Sequence, residues 1–406
     1  MILLKKIIKM QSRLNNTTLS RLLLCAFFLL FYVQASLANA EELGQELQES
    51  QFYFLIDADT KEVLLSKNSD VRIAPSSMTK LMTAYVVFDQ IKKGRISFSN
   101  QCLIGKDAWH KSGSSMFLNY GDVVSIEDLV KGLLVVSGND AAIALAESTA
   151  GGFDNFVALM NIKAKELGLK NSHFRNPHGL NEDGHYMSIR DLATLATHLY
   201  KDFPQYSHYF GISEFTYRNI TQRNRNPLIK ENYEGVVGGK TGHTNEGGYG
   251  VIGIVKRDHR RLIAVVNKAR TPKQRAAIIT NLLDYGFQHY KKLVLFEKNQ
   301  PIAQLKTWLG KQSEVAVVAN RDVAFTIPQD KYFDSIKVRI EYKEPIYAPI
   351  TKGTKIANLV VEVKGYKTFE YSLFAKENVA RVGFFRKIHQ VLRYKIVNVF
   401  NRIFHK

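Results

Sequence analysis

A serine and a lysine three residues apart could act together as a nucleophile and its base. Ser77 and Lys80 lie within "APSSMTKLMTAYVVF" (74–88), whose apolar residues predict a helix buried in a core. Residues at i and i+3 share one helix face, so the two side chains can meet. A neutral lysine could accept the serine proton, and burial or a second cation would lower its pKa from about 10.4 as this requires. A chance match with a surface lysine is the alternative interpretation.

Two later motifs could complete such a site. Ser137 and Asn139 form S-x-N at the junction of two predicted helices, where a loop can point both into a cleft. "GVVGGKTGHTNEGGYG" (235–250) contains K-T-G at 240–242, and its glycines would let an extended peptide pair closely with the strand. A phosphate-binding loop is excluded because G-x-x-x-x-G-K-T requires glycine where Glu234 stands.

S-x-x-K, S-x-N and K-T-G in this order resemble the serine penicillin-recognising enzymes. The closer similarity is to the low-molecular-mass penicillin-binding proteins that act as D-alanyl-D-alanine carboxypeptidases. It extends through "SGNDAAIALAE" and "LGLKNSHFRNPHGL" to a β-rich second domain and an amphipathic tail. The resemblance implies a serine peptidase that removes the terminal D-alanine from peptidoglycan stem pentapeptides through an acyl-enzyme. It also implies acylation by β-lactams, and it implies no metal or organic cofactor.

The resemblance further implies roles for individual residues. Ser77 would be the nucleophile, Lys80 its base, and Ser137 the relay that returns a proton to the departing amine. Asn139 would hold the substrate amide and Lys80, and the backbone N–H groups of Ser77 and His243 would form the oxyanion hole. Other matching residues would form the substrate-binding strand, bind the terminal carboxylate or support the cleft: Lys240, Thr241, Gly242 and His243; Arg225 and Arg270; His178 and Asp191.

Three other functions remain open on the sequence. A β-lactamase resembling class A would use a glutamate in an E-x-x-L-N motif, which this sequence lacks. A D,D-endopeptidase that cuts cross-links would usually lack the second domain and the tail. A non-catalytic peptidoglycan-binding protein would not need the intact serine and lysine motifs.

The elements around these motifs predict an α/β (α+β) fold with helices flanking an antiparallel sheet, because the strands arrive in hairpins. We expect the catalytic domain to cover 41–288 and a small all-β domain to cover 289–377, where short runs alternate apolar and polar residues. Within the first domain we predict a hairpin at 51–67, helices at 77–91, 153–167 and 273–290, two helices within 126–150, and two strands within 247–269.

Both ends of the chain are basic and partly apolar, and the formal net charge is +19. Residues 1–40 carry five cations, no acid and an apolar run, which predicts a signal peptide cleaved after Ala40. An uncleaved anchor and a true start at Met10 are the alternatives. Residues 378–406 predict an amphipathic helix with a basic polar face that lies in a membrane surface, or else packs on the protein's own core. We therefore expect a peripheral protein on the periplasmic face of the inner membrane, without nucleic-acid partners.

The cysteine and histidine content limits the other chemistries. The predicted mature chain keeps only Cys102, which excludes an internal disulfide and a thiolate metal cluster. The eleven histidines show no spacing typical of metal ligands. The sequence thus predicts an exported enzyme without a metal site.

Overall fold

The computed structural model describes residues 49–331, 336–389 and 391–392. The chain divides into two compact units. Unit 1 contains the chain up to Leu55, Leu65–Val255 and Ile263–Leu283; unit 2 contains Ile56–Leu64, Lys256–Leu262 and the chain from Asp284 onward. The predicted signal peptide at 1–40 lies outside the described residues, as does most of the predicted tail helix.

A five-stranded sheet carries the K-T-G motif on an edge strand. The strand order is β2-β1-β9-β8-β7, with β1 at Phe52–Asp57, β2 at Val63–Lys67, β7 at Val236–Thr244, β8 at Gly248–Arg257 and β9 at Arg260–Ala269. β7 pairs antiparallel with β8, and Lys240 lies opposite Ile252. The predicted hairpins and the predicted fold class are confirmed. Because β7 has a sheet neighbour on only one side, its other side can accept an extended peptide.

The helix behind the S-x-x-K motif is buried along most of its length. α1 covers Lys80–Lys92, and a 3₁₀ turn at Ser76–Thr79 precedes it. We expected a helix from residue 77, so Ser77 lies in the turn rather than in the helix. The reason is the hydrogen-bond spacing: the N–H of Met78 donates to the Pro75 carbonyl oxygen and that of Lys80 to the Ser77 carbonyl oxygen, each three residues earlier. This is the spacing of a 3₁₀ turn, and the α-helix begins only after it.

The helices predicted within 126–150, at 153–167 and at 273–290 are confirmed, whereas those at Lys106–Trp109, Ile189–Asp202 and Pro227–Lys230 were not predicted. The two helices expected within 126–150 meet at the S-x-N motif, and a serine caps α3, because Ser125 Oγ accepts from the Asp128 N–H. The helices are α2 (Lys106–Trp109), α3 (Ile126–Leu134), α4 (Asn139–Ala150), α5 (Phe153–Glu166), α6 (Ile189–Asp202), α7 (Pro227–Lys230) and α8 (Pro272–His289). Two small hairpins pair β3 (Gln101–Leu103) with β4 (Val123–Ser125) and β5 (Glu214–Tyr217) with β6 (Ile220–Arg223).

From residue 290 onward the described chain is almost entirely β-structure, as predicted. A six-stranded sheet has the order β14-β16-β17-β12-β11-β15, and β10 pairs with β13. The strands are β10 (Tyr290–Phe296), β11 (Pro301–Trp308), β12 (Glu314–Ala319), β13 (Val323–Pro328), β14 (Ile336–Glu341), β15 (Ile346–Tyr347), β16 (Lys355–Val363) and β17 (Thr368–Ala375). Strands β10 and β11 were not predicted. Alternation along β17 buries Phe369, Tyr371 and Leu373 in one core.

The helix predicted from residue 378 begins only at 384 and is helical at 384–389, because Val379 and Arg381 before it form β-bridges with Ile350 and Gly310. Its large apolar side chains Phe384, Phe385, Ile388 and Leu392 are exposed to solvent. Among the described residues, no helix combines the length and the apolar character needed to cross a bilayer.

Candidate active site

The serine and lysine of S-x-x-K face each other at the end of α1. Ser77 is half-buried, whereas the side chain of Lys80 is fully buried. Lys80 Nζ lies 3.0 Å from Ser77 Oγ, 2.7 Å from Asn139 Oδ1 and 2.6 Å from the carbonyl oxygen of His178. Three oxygen atoms therefore replace the water that the amine loses on burial, and one of them belongs to the candidate nucleophile.

Two influences favour the neutral form of this lysine. Burial, and then the positive charge of Lys240, lower the pKa of Lys80 well below its ordinary value of 10.5. A neutral amine at this position has a lone pair and can accept the proton of the Ser77 hydroxyl. The arrangement can therefore generate a serine nucleophile without a histidine.

The S-x-N motif stands between α3 and α4, with both side chains buried. Ser137 has a φ of +63°, a left-handed conformation that is costly for a residue with a side chain and is concentrated at functional sites. Asn139 is the first residue of α4; its Oδ1 faces Lys80, and its Nδ2 donates to the Ser112 carbonyl at 2.8 Å. The strained turn thus places one hydroxyl beside Lys240 and one amide beside Lys80.

The lysine of K-T-G completes the cluster from β7. Lys240 is buried, with Nζ 2.8 Å from Ser137 Oγ and 3.2 Å from the Thr241 carbonyl oxygen. Burial, followed by the charges of Arg225 and Arg275, lowers the pKa of Lys240 to about 7. The structure therefore brings the three motifs together as two hydrogen-bonded groups, one of Ser77, Lys80 and Asn139 and the other of Lys240 and Ser137. The short S-x-N turn connects them, because Ser137 and Asn139 belong to it.

A glycine allows the strand to approach the nucleophile turn. A Cβ added to Gly242 would lie 3.0 Å from the Pro75 carbonyl oxygen and 3.1 Å from Ser76 Cβ, closer than ordinary contact. Ser76 Oγ is also 3.0 Å from Thr244 Oγ1, which ties the turn to the same strand. Consequently a peptide that pairs with this edge of β7 lies beside Ser77.

Three further residues that were predicted to bind substrate are exposed to solvent: His243, Arg225 and Arg270. His243 is exposed and stacks on Tyr249, with ring centroids 4.0 Å apart. Arg225 is exposed, and its Nη1 donates to Ser114 Oγ at 2.8 Å. Arg270 lines, with His243 and Tyr249, a cavity of about 430 Å³. All three side chains are open to an incoming ligand.

Of the two residues predicted to support the cleft, His178 contacts Lys80 and Asp191 contacts Asn171. His178 is buried, and its carbonyl group accepts from Lys80; burial, and then the charge of Lys111, lower the pKa of its imidazole to about 2, so the ring is neutral. Asp191 is in the first turn of α6, where its carboxylate accepts from the Asn171 N–H at 2.7 Å. Asp191 has no described hydrogen bond to the serine and lysine cluster.

A segment at 173–187, here called the strap, closes over the start of α1. Besides the His178 carbonyl, it holds α1 through a bond from Thr83 Oγ1 to the Pro177 carbonyl oxygen at 2.6 Å. His185 is buried; its Nδ1 accepts from the Arg175 N–H, which leaves Nε2 to donate to Thr79 Oγ1 at 2.9 Å. No signal in the sequence pointed to this histidine.

A buried aspartate that the sequence reasoning also missed fixes the loop at 112–118. The Asp140 carboxylate accepts from the Met116 N–H at 3.0 Å, the Leu118 N–H at 3.2 Å and Ser115 Oγ at 2.6 Å. The only signal was an acid in the first helical turn beside S-x-N. Since Ser112 in this loop bonds Asn139, Asp140 holds one wall of the site.

Two protein families match the chain. Residues 39–271 match the family described as D-alanyl-D-alanine carboxypeptidase, and residues 290–381 match the C-terminal domain of penicillin-binding protein 5. The D-alanyl-D-alanine carboxypeptidase DacF of Bacillus subtilis (strain 168) is 37% identical over 377 residues, covering 92% of this chain and 96% of that protein.

Solved structures show the same similarity. Penicillin-binding protein 5 of Haemophilus influenzae superposes with a TM-score of 0.78 at 35% identity, covering 82% of this chain and 98% of that one. Penicillin-binding protein D2 of Listeria monocytogenes, solved in an ampicillin-bound form, has a TM-score of 0.54 at 27% identity. It covers 59% of this chain and 97% of its own.

Proposed function

The chain belongs to the D-alanyl-D-alanine carboxypeptidase family of serine hydrolases, and from this membership we propose that it removes the terminal D-alanine from peptidoglycan stem pentapeptides. The observation that carries the proposal is the 3.0 Å approach of the buried Lys80 amine to Ser77 Oγ, beside the open edge of β7. A fully buried amine with a lowered pKa is a base, and the hydroxyl of Ser77 is within its reach.

Acylation starts from this pair. Neutral Lys80 takes the hydroxyl proton while Ser77 Oγ attacks the carbonyl carbon between the two D-alanines. The backbone N–H groups of Ser77 and His243 stabilise the oxyanion, and loss of one such donor typically costs about 10² to 10³ in rate. Asn139 holds the substrate amide and the amine of Lys80, which keeps the attacking geometry.

Departure of the D-alanine needs a proton on its nitrogen. Ser137 donates its hydroxyl proton to that nitrogen as the peptide C–N bond breaks, and the proton that Lys80 accepted restores the hydroxyl. The products of this step are free D-alanine and an ester on Ser77. Water then attacks the ester with Lys80 again as base, which releases the shortened peptide and regenerates the serine.

A carboxypeptidase must recognise the free carboxylate at the end of its substrate. We assign its recognition to Lys240, Thr241 and the two exposed arginines, Arg225 and Arg270. Lys240 binds an anion only when protonated, and its hydrogen bond to Ser137 leaves other donor positions on the ammonium group. A β-lactam presents a carboxylate and a reactive carbonyl in the same relation, so the same serine is acylated, in line with the ampicillin-bound relative.

Mass spectrometry of the intact protein tests the nucleophile. After incubation with penicillin we expect one covalent adduct on the wild type and none on Ser77→Ala. Ser66→Ala is the matched control. Ser66 also lies beside a lysine, Lys67, but it is outside the S-x-x-K motif and is exposed on β2. An adduct that persists in Ser77→Ala would refute the assignment.

The substrate is tested separately from the nucleophile. Incubation with a muramyl pentapeptide should release free D-alanine. Cleavage of cross-linked dimers alone would favour an endopeptidase, and rapid catalytic destruction of penicillin would favour a β-lactamase. Penicillin binding that yields neither product would point to a protein without turnover.

We also propose export by the segment at 1–40 and peripheral attachment to the periplasmic face of the inner membrane by the segment at 378–406. The exposed apolar side chains at 384–392 and the basic residues that follow support attachment. Removing 384–406 while keeping Arg381, which pairs with Gly310, should release the protein from membrane vesicles. Continued sedimentation of the truncated protein with vesicles would refute the anchor.

The same proposal divides the mature chain into a catalytic domain at 41–288 and a β-rich domain at 289–377. Support comes from the last segment of unit 2, which begins at Asp284, and from the family match at 290–381. Calorimetric unfolding of the full chain should therefore show two transitions, and a single cooperative transition would contradict the division.

A further inference from the structure

Aromatic and apolar side chains are concentrated on one exposed part of unit 1. Five of the eight large hydrophobic side chains that the described part of this unit exposes lie between residues 103 and 123. They are Leu103, Trp109, Phe117, Tyr120 and Val123. Such a concentration on a small region of surface marks a contact site rather than chance exposure.

Two of these rings form a pair flanked by polar groups. The ring centroids of Trp109 and Tyr120 are 6.3 Å apart, and the His110 ring lies 4.2 Å from that of Trp109. Lys106 Nζ lies 5.8 Å from the centre of the Tyr120 ring. This surface therefore combines aromatic rings with hydrogen-bonding groups. A partner that is purely apolar would leave those polar groups without hydrogen bonds.

The ring pair is continuous with the wall of the active site. Trp109 is three residues from Ser112, whose carbonyl oxygen accepts from Asn139. The loop between the two rings is held by the buried Asp140, and within it Phe117 has a φ of +67° with its ring exposed. A fixed backbone that exposes a bulky ring in a strained conformation indicates contact with a ligand.

We propose that Trp109 and Tyr120 form a platform for a sugar ring of the glycan strand that carries the stem peptide. This inference rests on the proposed function and deepens it. A pyranose has a face of C–H groups, which packs on aromatic rings, and an edge of hydroxyl groups, which Lys106 and His110 can bind. The glycan is also the one amphipathic group covalently attached to the peptide in the cleft.

The length of the stem peptide can be compared with the distance between the platform and the cleft wall. Three residues span at most about 11 Å, which limits the distance from Trp109 to Ser112 at the cleft wall. The four stem residues before the scissile bond span about 13 Å when extended. The extended peptide is therefore longer than the wall between Ser112 and Trp109, along which it would run to the platform.

Two substrates of different size test the platform. For the wild type, kcat/KM for D-alanine release should be higher with a disaccharide pentapeptide than with the free pentapeptide. Trp109→Ala or Tyr120→Ala should lower this ratio about tenfold through KM and leave the rate of penicillin acylation unchanged. Trp109→Phe should retain most of the preference. Tyr347→Ala is the matched control, because Tyr347 is 60% exposed against 57% for Tyr120.

The outcomes separate this inference from the proposed function. Loss of penicillin acylation in every form, the wild type included, would refute the catalytic assignment rather than the platform. Equal kcat/KM for the two substrates in the wild type, or equal losses on both in the variants, would overturn the platform. A change from dimer to monomer in Trp109→Ala, measured by light scattering, would overturn it in favour of a second copy of the chain.

Discussion

Replacing Gly179 by alanine tests whether the strap positions the nucleophile. Gly179 has a φ of +86° and follows His178, whose carbonyl oxygen accepts from Lys80. An added Cβ would overlap the Ser76 carbonyl oxygen, lie 2.6 Å from its carbon and lie 2.8 Å from Thr79 Oγ1. The methyl group can be accommodated only if the strap and the turn at 76–79 move apart.

Two costs contribute, and they can be separated. The left-handed backbone costs about 1–2 kcal/mol of folding stability for any residue with a side chain. Reaching an ordinary carbon–carbon separation of about 3.5 Å from 2.6 Å requires a shift of about 1 Å in the residue that precedes Ser77. A misplacement of that size can cost about 10²-fold in rate, so we expect acylation to fall at least 100-fold.

The assay is the rate of penicillin acylation, followed by mass spectrometry of samples quenched at increasing times. Gly184→Ala is the matched control in the same strap: its φ is +78°, but the nearest atom to the added Cβ is 3.9 Å away. Gly184→Ala should lower the melting temperature and keep the acylation rate within about threefold. Equal acylation rates in the two variants would refute the positioning role of the strap.

Three further predictions concern charge and hydrogen bonding around the site. Arg225→Gln should move both limbs of the pH profile of acylation to higher pH, since its positive charge lowers the pKa of Lys80 and of Lys240; an unmoved profile would contradict this. Asp140→Asn should lower the urea unfolding free energy by about 3 kcal/mol, because three donors lose a buried carboxylate; an unchanged midpoint would argue against it. His185→Phe should slow acylation about tenfold while His185→Gln, which keeps a donor, should not, and equal rates would exclude the bond to Thr79.

Many of the helices and strands could be predicted from the local pattern of apolar and polar residues. Hydrophobic periodicity predicted the helices within 126–150 and at 153–167, and the short alternating runs after residue 290 predicted an all-β region. The exact start of α1 was not predictable from periodicity, because the apolar pattern does not distinguish the 3₁₀ turn at Ser76–Thr79 from the first turn of an α-helix. Strands β10 and β11 were missed because only one of their side chains, Leu305, is buried, so neither strand shows a strong alternation of apolar and polar residues.

The candidate chemistry was also present in the sequence, as three short motifs in a fixed order. The motifs identify the candidate residues by their chemistry. The serines supply a hydroxyl, the lysines supply an amine, and the glycines beside K-T-G allow a close approach to the strand. The sequence also placed Asp191 beside these residues as a support, without showing that it binds Asn171.

Only the tertiary structure decides how these groups act on one another. The pKa of Lys80 is lowered because the side chain is enclosed by α1, Asn139 and the strap, and because Lys240 approaches from a strand 160 residues away along the chain. Asp140 and His185 gain their roles the same way, through bonds to segments distant in sequence. The pKa of a group depends on burial and on neighbouring charges in three dimensions, and a linear pattern contains neither.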